Sequence, residues 1–226
     1  MKKLFLLLAA FGFLAATSVN AAEYGFDKAH SHVGFKIKHI LGMVPGEFKD
    51  YDGTFTFDPD KPEASKVKVT IQAASINTDN DFRDKDLRSE KYFNVEKYPT
   101  LTFVSKKVSK GEGDNKYSVV GDLTIHGVTK PVTLDVDYLG ADTMPMDKEG
   151  KNTAKIVGFS ASTKIDRRDF GLDMSMQLPS GNLMVGNDVN ITLDIAGMDT
   201  ASLKKMAEMM GKMKKDKPVE KAADSK

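Results

Sequence analysis

Apolar and polar residues alternate in short runs from residue 24 to 196. Val33, Phe35, Ile37 and His39 fall on one side of an extended segment, with Lys36 and Lys38 on the other. Phe55 and Phe57 alternate with Thr54 and Thr56, and Val67, Val69, Ile71 and Ala73 with Lys66, Lys68, Thr70 and Gln72. Leu101 and Phe103 follow Pro99. Val119, Gly121, Leu123 and Ile125 interleave with Asp122, Thr124 and His126, and Val132, Leu134, Val136 and Tyr138 with Thr133, Asp135 and Asp137. Val157, Phe159, Ala161, Thr163 and Ile165 form a further set, and Val189, Ile191, Leu193 and Ile195 the last. A period of two sends successive side chains to opposite faces, so each run predicts an antiparallel strand with one buried and one wetted face. Turn signals at Asp52-Gly53, Asp58-Pro59-Asp60, residues 111–115 and His126-Gly127 separate them. Half-buried strands in this number, roughly eight, must close into a barrel or stack into a sandwich.

Three stretches break the rhythm. Residues 80–88, NDFRDKDLR, are charged and lack Gly and Pro; with Thr78 or Asp79 as N-cap they predict a short helix across the barrel. Residues 169–187 carry Phe170, Leu172, Met174, Met176, Leu178, Leu183 and Met184 between Gly171, Pro179, Gly181 and Gly186. That is too apolar for a solvent loop and predicts a segment covering an opening. After Thr200, Leu203, Met206, Met210 and Met213 recur at helical steps among lysines, an amphipathic pattern that gives way to polar residues from Lys214.

The start of the chain is of another kind. Lys2 and Lys3 precede an uncharged apolar run from Leu4 to Ala16, and Val19-Asn20-Ala21 supplies small residues at a signal-peptidase spacing. Residues 1–22 therefore read as a secretory signal cleaved after Ala21 or Ala22, which predicts export to the periplasm. The divisions expected are the signal at 1–22, one barrel domain at 23–197 and a Met- and Lys-rich tail at 198–226. Roughly 205 residues remain after cleavage, enough for one domain with a real core. The chain has no Cys and no Trp but 13 Phe and 12 Met, so neither disulfides nor thiolate-bound cofactors are available. The tail holds eight Lys against five acids, which leaves the body acidic although the whole chain is +1. An acidic body argues against a nucleic-acid partner.

Candidate chemistry is sparse. His30 and His32 share a strand face that a metal could use, but no third ligand stands at a convincing spacing; hydrogen bonding of His30, Ser31 and His39 at a barrel end is the plainer expectation. Arg88, Arg167 and Arg168 suit an anionic or carbonyl headgroup through the planar guanidinium fork, and equally suit pairing with Asp84, Asp86 or Asp169. No nucleophile elbow, phosphate-cradling loop or zinc-protease motif occurs, so no catalytic residue is nominated. The Met stripe of the tail fits self-docking or weak contact with an anionic membrane better than copper.

An ordered series of motifs resembles the YceI-like family of exported polyisoprenoid-binding proteins. It runs through DKAHSHVGF at 27–35 with His39, Gly46-Glu47-Phe48, Asp52-Gly53 and DLRS at 86–89. YFNV at 92–95, YPT at 98–100, GDLTIHGVT at 121–129 and RDFGL at 168–172 complete it. The resemblance implies an all-β, lipocalin-like, eight-stranded barrel with an apolar tunnel for a long isoprenoid quinone-type or fatty-acyl chain, and no established catalysis or cofactor. From the residues alone, large and small inward groups lean toward a packed core; the resemblance reverses that preference. The expected chain contacts are Phe35, Phe55, Phe57, Phe82, Phe103, Phe159, Phe170 and Leu178. The expected polar groups at the mouth are His30, Ser31, His39, Arg88 and Arg168. A packed structural or stress-protective barrel without ligand, and an enzyme acting on a lipid headgroup, stand as alternatives.

Overall fold

The computed structural model describes residues 22–173 and 176–215. The expected signal at 1–22 and the chain after Lys215 thus fall almost wholly outside the described residues. The strands are β1 (Glu23–Phe26), β2 (His32–His39), β3 (Gly42–Phe48), β4 (Tyr51–Thr56), β5 (Lys66–Gln72), β6 (Ile76–Asn77), β7 (Thr100–Lys110), β8 (Lys116–Ile125), β9 (Val128–Pro145), β10 (Thr153–Asp166) and β11 (Val185–Asp199). The helices are α1 (Asp81–Arg88) and α2 (Thr200–Lys215).

These segments make a closed antiparallel barrel of eight strands, because three of them are bent and broken in two. β11 pairs along its first part with β2, from Val185 opposite His39 to Asp194 opposite His32. It pairs along its last part with β1, where Phe26 faces Gly197 and Tyr24 faces Asp199. β3 and β4 in turn flank β2 and β1, while β6 and β5 continue the wall beside them. Every consecutive composite strand is a neighbour, and the eighth returns to the first. Closure removes the edges that an open sheet would expose.

The break between β1 and β2 shows how such a bend is held. Asp27 turns the chain out of the ladder, its carboxylate accepting from Ala29 N at 3.1 Å and contacting His30 Nδ1 at 2.7 Å. Ala196 on β11 keeps one backbone bond, its carbonyl accepting from Asp27 N at 2.8 Å, but its N–H has no strand opposite it. Ser31 Oγ fills the gap, accepting from Ala196 N at 3.0 Å and donating to the same carbonyl at 3.3 Å. The buried Tyr51 hydroxyl donates to Ser31 O at 2.7 Å, and burial raises its pKa. A buried backbone group needs a partner, and here a side chain replaces the missing strand.

The barrel has two unlike ends. At one end Tyr24 stacks on Phe55 at 5.4 Å, and Phe159 meets Phe55 and Phe57 edge-on at 5.6 and 4.9 Å. Tyr117 and Tyr138 flank Phe57. α2 packs over this aromatic end. Leu203 lies on Gly25, where a Cβ would stand 2.7 Å from Leu203 Cδ1. Asp199 caps α2, accepting from Ser202 N at 2.9 Å and from Lys155 N at 2.8 Å. The amphipathic stripe expected along the tail is only partly used. Leu203 and Met206 are half-buried, whereas Met210 is exposed, because the helix has run past the strands it leans on; the Met213 side chain lies outside the described set.

Candidate ligand-binding lumen

The interior is not filled. A cavity of about 560 Å³ runs down the barrel between the inward faces of the strands. Phe35, Phe55, Phe57, Phe103, Phe159 and Phe170 all line it, beside aliphatic groups such as Val69, Leu134, Ile191 and Ile195. The rings leave room because several lie flat on the wall. Phe35 faces Gly46 across β2 and β3, and a Cβ there would stand 2.3 Å from Phe35 Cζ. Phe103 likewise covers Gly121, at 2.5 Å. A side chain in either place would stand the ring up into the lumen. The small inward residues seen in the sequence are thus floor for the aromatics.

The opposite end is the mouth. Its lining reaches the exposed Met176 and Asp86, whereas Ser65 and Tyr117, the latter in the aromatic cluster, are buried. α1 and the segment after β10 shape it. Asn80 caps α1, accepting from Arg83 N at 3.0 Å, in place of the expected Thr78 or Asp79. Asp84, buried, accepts from Thr78 N at 2.9 Å and from Thr78 Oγ1 at 2.5 Å. Arg83 donates from Nε to Thr78 Oγ1 and from Nη2 to Thr78 O, each at 2.7 Å. These polar anchors turn Arg83, Asp84, Leu87 and Arg88 toward the protein.

That orientation corrects one expectation. Phe82 is 89% exposed and does not line the cavity. On so short a helix the buried Asp84 and its neighbours fix the rotation, and hydrophobicity does not. Leu178 is also absent from the lining. It sits at the tip of a small hairpin, donating its N–H to Asn182 O at 2.8 Å, while Met176 and Met184 at the hairpin base border the lumen. The covering role expected of 169–187 therefore falls to Phe170, Leu172, Met176 and Met184.

The expected polar mouth is rearranged more deeply. His39 lines the cavity. His30 and Ser31 do not, because they belong to the β1–β2 break. Arg88 donates to Ala74 O and Ile76 O, both at 2.7 Å, and so holds the carbonyls where β5 gives way to β6. Arg168 pairs with Asp166, its Nη2 lying 2.5 Å from Oδ2, on the exposed outside; the pair lowers the Asp166 pKa and raises that of Arg168. The neighbour Arg167 points inward instead. It is buried, donates to Gly186 O at 2.8 Å and Asn187 Oδ1 at 3.1 Å, and burial lowers its pKa. Of the three arginines weighed in the sequence, Arg167 alone lines the cavity; Arg83, Tyr92 and Thr163 are among the polar lining groups not nominated for the mouth. For Thr163 the signal was present, since it keeps the inward period of Phe159, Ala161 and Ile165. Among the described residues no group of three or more His, Cys, Asp or Glu is placed to hold a metal. His32 contacts Glu47 at 3.3 Å instead.

A closed eight-stranded barrel around a largely apolar lumen places the chain among the lipocalin-like barrels. The YceI-like domain model matches residues 24–197. The chain belongs to the YceI-like family. It is 44% identical over 177 residues to protein YceI of Escherichia coli, covering 76% of this chain and 88% of that protein. The crystal structure of a YceI protein from Campylobacter jejuni aligns with a TM-score of 0.59 at 37% identity, covering 77% of this chain and 96% of that one. A polyisoprenoid binding domain from Saccharophagus degradans aligns with a TM-score of 0.52 at 17% identity over 78% of this chain and 98% of the other, a likeness of fold.

Proposed function

We propose that this is an exported, periplasmic binding protein, freed of its leader after Ala21 or Ala22, that holds one long apolar chain of the isoprenoid quinone or fatty-acyl type in its lumen. The observation that carries this is the open cavity of about 560 Å³ with its apolar wall. The volume lies within the range of ligand sites, roughly 300–1,000 Å³. An apolar cavity of this kind does not hold water well and favours an apolar guest. Each methylene leaving water contributes about 0.8 kcal/mol. A chain of several isoprene units therefore has gross transfer energy above the roughly 4–15 kcal/mol that association costs. No covalent chemistry is needed. Family membership supports binding over catalysis. The packed-barrel alternative requires a filled interior, and the rings lying on Gly46 and Gly121 argue against it.

The chain end points toward Phe57 and Phe159, and the headgroup stays at the mouth beside His39, Arg83, Tyr92 and Arg167. These groups select the head and direction more than they supply affinity. Mass spectrometry of organic extracts from the gently purified full chain tests this. A stoichiometric long-chain lipid is expected. A folded barrel that yields none, and takes up none from added ubiquinone or fatty acid, would overturn it.

A further inference from the structure

We propose that the mouth of the barrel is a membrane-docking surface. In this proposal the β2–β3 turn and the facing hairpin at its Met176 base enter the interface of an anionic bilayer, and a chain passes between bilayer and lumen without crossing water. The proposal rests on the chain-binding function above and assigns the partner from which that chain comes.

The turn and the hairpin base are continuous with the lumen. Leu41, at the turn between β2 and β3, is 91% exposed, and Met43 beside it is 51% exposed. Met176, on the facing hairpin, is 53% exposed and lines the cavity as well. The backbone joins them: Ile40 N donates to Met184 O at 2.7 Å, and Met184 N to Met176 O at 2.8 Å. An apolar path therefore runs from the exposed tip, along Met176 and Met184, into the barrel.

The turn itself is unusual. Ile40 adopts φ +55°. A β-branched residue in the left-handed region is strained, and a tight turn would ordinarily place Gly or Asn there. An outlier of this kind at the rim of a site points to function. Behind the tip, Lys36 and Lys38 are exposed on the outer face of β2, set to meet anionic headgroups while Leu41 and Met43 enter the acyl boundary. A few side chains on separate tips offer little of the continuous area that a stable protein dimer needs. α2 with its lysines packs at the opposite end, so a flat bilayer meeting the mouth does not meet α2.

The test is sedimentation of the full chain with vesicles of equal parts phosphatidylglycerol and phosphatidylcholine. Leu41→Asp, at an exposed position, is expected to leave the circular dichroism unchanged and to lower vesicle affinity roughly tenfold or more. Lys36→Glu and Lys38→Glu should each lower it about fivefold or more at low salt and converge on wild type at high salt. If L41D and Met176→Ser bind the vesicles as well as wild type, the proposal is overturned. It is overturned too if L41D only splits a dimer of this chain in sedimentation velocity and leaves vesicle binding intact. Lipid extraction on the same samples separates the two levels. A wild-type protein that carries a chain but binds vesicles independently of Leu41 keeps the lumen function and loses the docking surface. One that binds through Leu41 but takes up no chain does the reverse.

Discussion

The two ends of the barrel are made of different material. At the aromatic end, rings from five segments stack, tilt or meet edge to face and α2 leans on the strands, so packing dominates. At the mouth, a short helix is held by Thr78, Asp84 and Arg83, and two hairpins leave methionines and Leu41 in solvent. One end is optimised for stability and the other gives up apolar burial for access. The difference teaches that a binding barrel need not be uniform: a well-packed end supplies the stability that an open end does without.

The largest effect expected to sharpen this contrast is at the aromatic end. Phe55 is buried against Tyr24, Phe26 and Phe159. Phe55→Ala should cost about 3–5 kcal/mol in urea denaturation, as large-to-small core changes do. Leu41→Asp at the mouth should cost almost nothing in the same measurement. Equal losses at both ends would break the comparison.

Gly46→Ala is expected to act next, between the ends. Its Cβ has no room unless the Phe35 ring swings into the lumen. The cost is about 1–3 kcal/mol, the range for overpacking, with a fall in extractable lipid well beyond what that instability explains. Retained lipid would mean that the flat ring does not keep the channel open.

Asp199 provides the pH test. Burial pushes its carboxyl up, but hydrogen bonds from Ser202 and Lys155 outweigh this and hold it below the ordinary carboxylate range. A depressed folded pKa gives stability that is complete above the unfolded value, about 3.9, and is lost as pH falls through the folded one. Acidification below that point should release α2 while the barrel stays folded, seen as hydrogen exchange confined to residues 200–211. Asp199→Asn, which still caps, should flatten the pH dependence. The smallest effect is expected for Arg168→Ala: an exposed ion pair on the outer wall should change neither stability nor bound lipid measurably.

The strand faces were legible in the sequence because period two is a local property. Val33, Phe35 and Ile37 point inward whatever they meet, and Phe159, Ala161 and Ile165 do the same. The lumen wall was legible where it rested on that period, as for Phe35, Phe55, Phe57, Phe103, Phe159 and His39, and hydrophobicity alone placed Phe170. Hydrophobicity misplaced two others. Phe82 faces solvent because Asp84 and Arg83 set the rotation of α1, and Leu178 sits on a hairpin tip.

Sequence by itself determined the strand pattern, the interrupting helix and cover, the absence of thiol chemistry, and the order of motifs that marks the family. Tertiary structure alone decided three further matters. It made eight strands from eleven segments, since each of the three breaks is spanned by groups distant in sequence: Ser31 bonds Ala196, Lys49 N donates to Ser75 O, and Arg88 holds the carbonyls of Ala74 and Ile76. It sorted two adjacent arginines, sending Arg167 inward and Arg168 outward. It also kept the lumen open, by laying Phe35 and Phe103 on glycines of neighbouring strands. Each depends on groups distant in sequence meeting at a few ångströms, and no local period carries that information.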